Sequence, residues 1–187
     1  MTTRKLTTTL FAGAAALSMF ATLAQAENPM VGGAAMFADR NIVENAVNSQ
    51  DHTTLVAAVQ AAGLAETLQG AGPFTVFAPT NAAFEKLPAG TVETLLKPEN
   101  KDQLAKILTC HVVAADAMSD AIMKMVDDDA GAHPVNTVGG CTFTARHEGG
   151  NITLEDENGN VANVTIADVD QSNGVIHVVD AVLLPKM

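Results

Sequence analysis

Gly72-Pro73-Phe74-Thr75-Val76-Phe77-Ala78-Pro79-Thr80-Asn81-Ala82-Ala83-Phe84 combines a chain break, a strand and the start of a helix in one short stretch. Gly70 to Pro73 is a cluster of chain breakers, and Phe74 to Phe77 is a run of β-formers. Pro79-Thr80 opens a helix through Phe84 and Leu87, which Pro88 stops. Thr80 stands at the junction, where its hydroxyl can accept from free backbone N–H groups of the new helix. Losing such a cap costs on the order of 1 kcal/mol. Phe74, Val76, Phe77 and Phe84 are expected to fill the core beneath it.

On the N-terminal side, Leu55, Val56, Val59, Ala62 and Leu64 recur at helical spacing behind Asp51, a good N-cap, and Gly63 marks the end of that helix. Ile42, Val43, Ala46 and Val47 place a shorter helix within Asn41 to Asn48. The stretch 27–40 is small, contains Gly32-Gly33 and has no strong period, so it reads as an extended N-terminal arm before a domain spanning 41–187. On the C-terminal side, Thr91 to Leu96 and Glu99 to Leu108 read as helices, with Pro98 at the start of the second.

The pattern then changes. His111-Val112-Val113 is short and β-like, and Ala117 to Val126 fits helix and strand equally. Alternating segments follow at Cys141 to His147, Asn151 to Glu155 and Val161 to Ile166, joined by turns at Gly149-Gly150 and Asn158-Gly159. Val175 to Leu184 reads as a last strand. Helices dominate the first half and antiparallel strands the second, which defines an α+β domain.

The chain has 187 residues, with 21 acidic and 10 basic side chains and a net charge of −11. Residues 1–26 carry Arg4 and Lys5 and no acid, then an apolar run from Leu10 to Leu23, then Ala24-Gln25-Ala26. This is the pattern of a signal peptide cleaved after Ala26, so the protein is expected to be exported to the periplasm or beyond. The remaining 161 residues would carry a net charge of −13. Such a charge excludes ordinary nucleic-acid binding and disfavours anionic membrane surfaces. No second stretch is long and apolar enough to span a membrane.

Export decides how Cys110 and Cys141 are read. In an oxidising compartment an even count favours a disulfide closing a long loop; two free buried thiols, or a metal site with His111, remain the alternatives. Asp127-Asp128-Asp129 with His133, or Met118, Met123 and Met125, can be drawn as a Ca²⁺ or copper site. The triplet lacks the alternating spacing of a calcium loop, and methionines at this spacing more often fill a core. No metal or cofactor is therefore expected. No nucleophile elbow, phosphate loop or zinc-binding helix motif is present, so the reading is non-enzymatic. His52 and His177 are expected at the surface, the latter because it alternates with Ile176 and Val178. His111 is expected to be buried and hydrogen-bonded, with a ligand or partner contact as the alternative.

Three stretches resemble the fasciclin (FAS1) domain. The opening stretch, with Phe74, Val76, Phe77, Pro79, Thr80, Asn81 and Phe84, is similar to the family's first signature box. Asn173-Gly174-Val175-Ile176-His177-Val178-Val179-Asp180, with Leu183-Leu184-Pro185, is similar to its second. Leu108-Thr109-Cys110-His111-Val112-Val113 resembles the central Tyr-His segment between them. The resemblance runs from about Asn41 to Pro185 and implies strands in a wedge or sandwich with several helices packed on it. It also implies a secreted or surface adhesion module without a common enzymatic activity. Cys110 stands where the family has Tyr, and Ala114-Ala115 where Pro-Gly is common. The receptor binding tied to that region in animal relatives is therefore not carried over, and the cysteine supports a local disulfide to Cys141. The function expected is an interaction or cell-adhesion module for a protein or cell-surface partner, with self-association a further option. His111, Val112 and Val113 form the candidate partner surface. The alternative is a periplasmic accessory protein that binds a small ligand or a metal.

Overall fold

The structure, a computed structural model, describes residues 28–186. The signal peptide expected at 1–26 and its cleavage site lie outside the described residues. The chain opens with two-residue strands β1 (Met30–Val31) and β2 (Ala34–Ala35), paired antiparallel. Helices α1 (Ile42–Ala46), α2 (Thr53–Ala62) and α3 (Ala65–Gln69) lead to β3 (Phe74–Pro79). Then come α4 (Asn81–Glu85), α5 (Thr91–Leu95), α6 (Lys101–Cys110), β4 (Val112–Val113) and α7 (Ser119–Asp128). Strands β5 (His133–Asn136), β6 (Thr142–Glu148), β7 (Asn151–Glu155), β8 (Val161–Gln171) and β9 (Gly174–Val179) complete the fold.

Seven strands form one sheet in the order β4-β3-β9-β8-β7-β6-β5. Its pairs are antiparallel except for β3 and β9, which run parallel from Phe74↔Gly174 to Pro79↔Val179, so the expectation of antiparallel strands is corrected to a mixed sheet. The two signature stretches therefore lie side by side at its centre. At Gly174 (φ +151°) a Cβ would overlap the Phe74 backbone, which is why β9 can start beside β3 only on a glycine. Strand β8 joins the two halves: Val161 to Asn163 pair with β7, while Val164 to Gln171 pair with β9. Register shifts between Val164 and Val169 bend the sheet there, and Asp168 adopts φ +57° within them.

Each face of the sheet carries a core. Six helices contribute to the first. In α2, Leu55, Ala58, Val59 and Ala62 bury one stripe and Gly63 ends the helix. Val76 and Ala78 of β3, with Ile176 and Val178 of β9, point into this core. Phe77 and Val179 point the other way, into a core of Ile122, Val126, Phe143, Ala145, Leu154, Ala162 and Leu183 covered by α7. Most of 117–126, left open by the sequence, is thus helical from Ser119 onward, and Ile122 and Val126, one turn apart, are the reason.

In the N-terminal arm, Val31 and Met36 enter the first core and Ser172 N–H donates to Arg40 O at 2.8 Å. Three further expectations change. The last strand ends at Val179, not Leu184, and β8 extends five residues past Ile166 to Gln171. Asp51 caps nothing; it lies in a 3-10 turn, Gln50–His52. The start of α2 is capped from elsewhere: Asn81 Oδ1 accepts from Thr54 N–H at 3.0 Å and from the Thr53 hydroxyl at 3.2 Å, while Asn81 Nδ2 donates to Gln50 O at 2.8 Å. A carboxamide does both because it accepts and donates.

Candidate functional site

The central segment follows directly from the end of α6. Cys110, its last residue, is buried and joined to Cys141 by a disulfide, with Cα atoms 5.4 Å apart. The bridge holds the loop 137–141 against the outer edge of β4. Val138 N–H donates to Val112 O at 2.8 Å and Gly139 N–H to Thr109 O at 3.0 Å. Thr137 closes the loop, its hydroxyl donating to Cys141 O and accepting from Cys141 N–H. A Cβ at Gly139 would come within 2.7 Å of Cys110 N and 2.8 Å of its sulfur, so only glycine lets the loop approach so closely. The loop thus covers backbone that an edge strand would otherwise present.

His111, expected buried with a partner contact as the alternative, is 2% exposed, and Val112 of the candidate partner surface is 6% exposed, so both lie inside. Burial follows from position, because His111 sits between α6 and the C-terminal segment. Its Nε2 accepts from Leu183 N–H at 3.0 Å and its Nδ1 lies 2.8 Å from Ile107 O. A backbone N–H can only donate, so Nε2 is unprotonated and Nδ1–H is the donor to Ile107. Burial, opposed by the Ile107 bond and the Asp156 charge, lowers its pKa to about 4. Its ring meets Phe143 edge-on, with centroids 6.4 Å apart. Val113 is half-buried, and Val138 is 52% exposed.

His177 is not at the surface or an edge. Alternation does turn it away from Ile176 and Val178, but β9 is a central strand covered on both faces, and His177 is 0% exposed. Its Nδ1 accepts from Asp168 N–H at 3.2 Å, so Nε2–H donates to Ala117 O at 2.8 Å. The ring stacks on Phe77, centroids 5.6 Å apart. Burial lowers its pKa too, against the Ala117 bond and the charges of Asp168 and Asp116. His52, expected exposed, is buried next to Ser49, whose Oγ lies 2.8 Å from Nδ1. Burial lowers its pKa as well. The 3-10 turn, which the helical pattern did not show, rotates it inward.

The remaining box residues take structural places. Thr80 Oγ1 accepts from Ala83 N–H at 3.2 Å, and Pro79 and Phe84 are buried while Phe74 is half-buried. Asn173 joins three segments: Oδ1 accepts from Ile42 N–H at 3.0 Å, and Nδ2 donates to Leu68 O and Gly70 O. Asn45, buried among these segments, bonds Phe37 on both backbone atoms and Gln171. The sequence showed no sign of Asn45, since its partners are eight and 126 residues away.

In the acidic run, Asp129 Oδ2 lies 2.7 Å from His133 Nδ1, and Asp127 Oδ1 lies 2.9 Å from His147 Nε2. These are separate pairs. No group of three or more His, Cys, Asp or Glu side chains among the described residues converges to hold an ion. No helix among them is long and apolar enough to cross a membrane.

Beside the central segment, a cavity of about 70 Å³ opens between α1, α2, α3, the end of α6 and β3–β4. Leu55, Val59, Leu68, Val76, Leu108 and Val112 form its buried floor, with His111 beside them. Val43, Ala46, Val56, Gln60, Leu64, Thr67 and Val138, all at least partly exposed, form its rim.

A mixed sheet with a core on each face, locked by side-chain caps from two distant stretches, defines an α+β module whose histidines are fixed inside it or paired at its surface. The fasciclin-domain family model matches residues 50–185, and the chain belongs to that family. It is 47% identical over 161 residues to Protein sll1483 of Synechocystis sp., covering 86% of this chain and 82% of that one. A second Synechocystis protein, sll1735, is 46% identical over 145 residues, covering 77% and 97%. Among solved structures, a FAS1 domain pair from the insect cell adhesion molecule fasciclin I superposes with a TM-score of 0.67 at 19% identity. That match covers 78% of this chain and 51% of the domain pair, so the fold is that of one FAS1 domain.

Proposed function

We propose that this chain is an exported, non-catalytic fasciclin module that binds a protein or cell-surface partner through the face at the β4 edge. The observation that carries this reading is Val138, a 52% exposed apolar side chain on a loop fixed by a disulfide and by two backbone bonds. An apolar group held rigidly at the surface loses little conformational entropy on binding. In this reading His111 and Val112 do not touch the partner; they and Cys110–Cys141 set the position of the face, and Val113 and Val138 contact it. The adhesion role of fasciclin I supports the class of function. The buried or Asp-paired histidines support the absence of catalysis, since no ring nitrogen of His111 or His177 is free to move a proton.

The test is chemical crosslinking of oxidised protein lacking residues 1–26 to the envelope fraction of the producing cells, with mass spectrometry of the products. Wild-type protein is expected to capture a reproducible partner, and Val138→Asp to lose it at unchanged circular dichroism and Tm. Equal capture by Val138→Asp rules out this face. Absence of any specific product would remove the partner-binding reading itself.

A further inference from the structure

The cavity beside the central segment carries an inference of its own. Its polar atoms are already committed: His111 uses both ring nitrogens within the protein, and Thr109 Oγ1 donates to Ala105 O at 2.7 Å. Gln60 and Thr67 are exposed at the rim. Water entering the floor would find no partner, and a buried water needs two to four. No charged side chain lines the space. What fits there is hydrocarbon, in a cavity of about 70 Å³ that opens at its rim.

Charge at the rim is uneven, in a chain whose net charge is −11. Lys106 Nζ donates to Gly139 O at 2.6 Å, next to Val138. The Lys101 ammonium lies where a Cβ at Gly63 would come within 3.2 Å of it, next to Leu64. Glu44 and Glu66 adjoin the rim residues Val43 and Thr67 in sequence, and Glu44 Oε2 already accepts from Asn41 N–H at 2.9 Å. The geometry points to a binding site for a single-chain amphiphile, its hydrocarbon end in this cavity and an anionic head on the α6 side near Lys106. The inference does not depend on the protein-partner reading, because it rests on the buried floor and the α1–α2 rim, although the rim shares Val138 with the proposed partner face.

The experiment titrates unbranched carboxylates from butanoate to dodecanoate into the protein lacking residues 1–26, below their micelle concentrations. Methyl NMR of Ala46, Val56, Val59, Val112 and Val138 reads the site. Affinity is expected to rise roughly fourfold per added methylene while the tail fills the cavity, then to level off. Ala46→Phe and Val56→Phe, at partly exposed rim positions, should each weaken dodecanoate at least tenfold while the folded spectrum persists. Lys106→Glu should reverse the preference for dodecanoate over dodecyltrimethylammonium. No shift at these methyls, or binding untouched by both filling variants, overturns the site. Equal binding of the cationic and anionic probes by the wild type overturns the placement of the head. Loss of decanoate or dodecanoate binding with crosslinked capture intact would sink this inference alone.

Discussion

The core on the helical face and the core under α7 use the same aliphatic residues and are fixed by different means. The helical core is closed by Leu, Val, Ile and Ala, whose contacts have no preferred direction. It holds both the 70 Å³ cavity and a smaller one of about 30 Å³ beside His52. The other core is bounded by directed contacts: the Cys110–Cys141 bridge, the Phe77–His177 stack, the Phe143 edge against His111, and the bonds from His111 and His177 to backbone. Its Phe143, Ala145, Leu154 and Ala162 are all 0% exposed. Directional constraints allow one arrangement, whereas aliphatic packing tolerates small voids at modest cost. Both voids lie on the helical side, where the directed contacts of Asn45, Asn81 and Asn173 join segments and do not fill the space between the aliphatic side chains.

The strongest test of that contrast removes the bridge. Its cysteines are 31 residues apart, and the chain-entropy account assigns such a loop about 3–4 kcal/mol. The double variant Cys110→Ala/Cys141→Ala should lower the unfolding free energy by that amount in urea titration. A loss below about 1 kcal/mol would mean that the directed contacts do not depend on it.

Acidification addresses the histidine bonds. The His111 pKa is near 4 in the folded protein and near 6.5 when unfolded, so the unfolded chain binds the proton more readily between those values. Stability from this group is complete above pH 6.5 and is lost as pH falls towards 4, by about 3 kcal/mol. His177 and His52 are shifted in the same direction and add to the loss. His111→Gln should be less stable at pH 7 and show a shallower fall between pH 6.5 and 4. An unchanged slope would sink the assignment to His111.

The smallest expected effect belongs to the helical side. Thr80→Ala removes the acceptor for Ala83 N–H and should cost about 1 kcal/mol, read as a shifted urea midpoint at constant slope. A loss approaching that of the disulfide would show that one cap positions more than its own helix.

What the sequence made legible was local. The strand at Phe74 and the Thr80 cap that follows involve neighbours within a few residues, and their pattern determines them. The face of His177 was also legible, since period two places it opposite Ile176 and Val178. What covers that face was not, because α7 and the 115–117 segment arrive from sixty residues away. The continuous apolar runs of β3 and β9 held the missing signal: strands buried on both faces do not alternate with polar residues. Asn45 escaped, and the long-range partners of Asn81 and Asn173, both named among the signature residues, were not legible, because a carboxamide that joins distant segments looks the same as one in a turn. The cavity escaped for the same reason, since its walls come from six elements and no segment contains its shape.

The parallel pairing of β3 with β9 also constrains the order of folding. Phe74 pairs with Gly174, a hundred positions later, and this central seam of the sheet cannot form until residues 174–179 are present. A chain supplied from its N-terminus must hold Phe74–Pro79, nearly all buried in the fold, without its central neighbour until residues 174–179 follow. Helices α1 to α6 can form locally in that interval. Only β4, thirty-odd residues on, is available to shield one edge of β3 while the other waits. The exposed seam leaves β3 open to mispairing until residues 174–179 have been made.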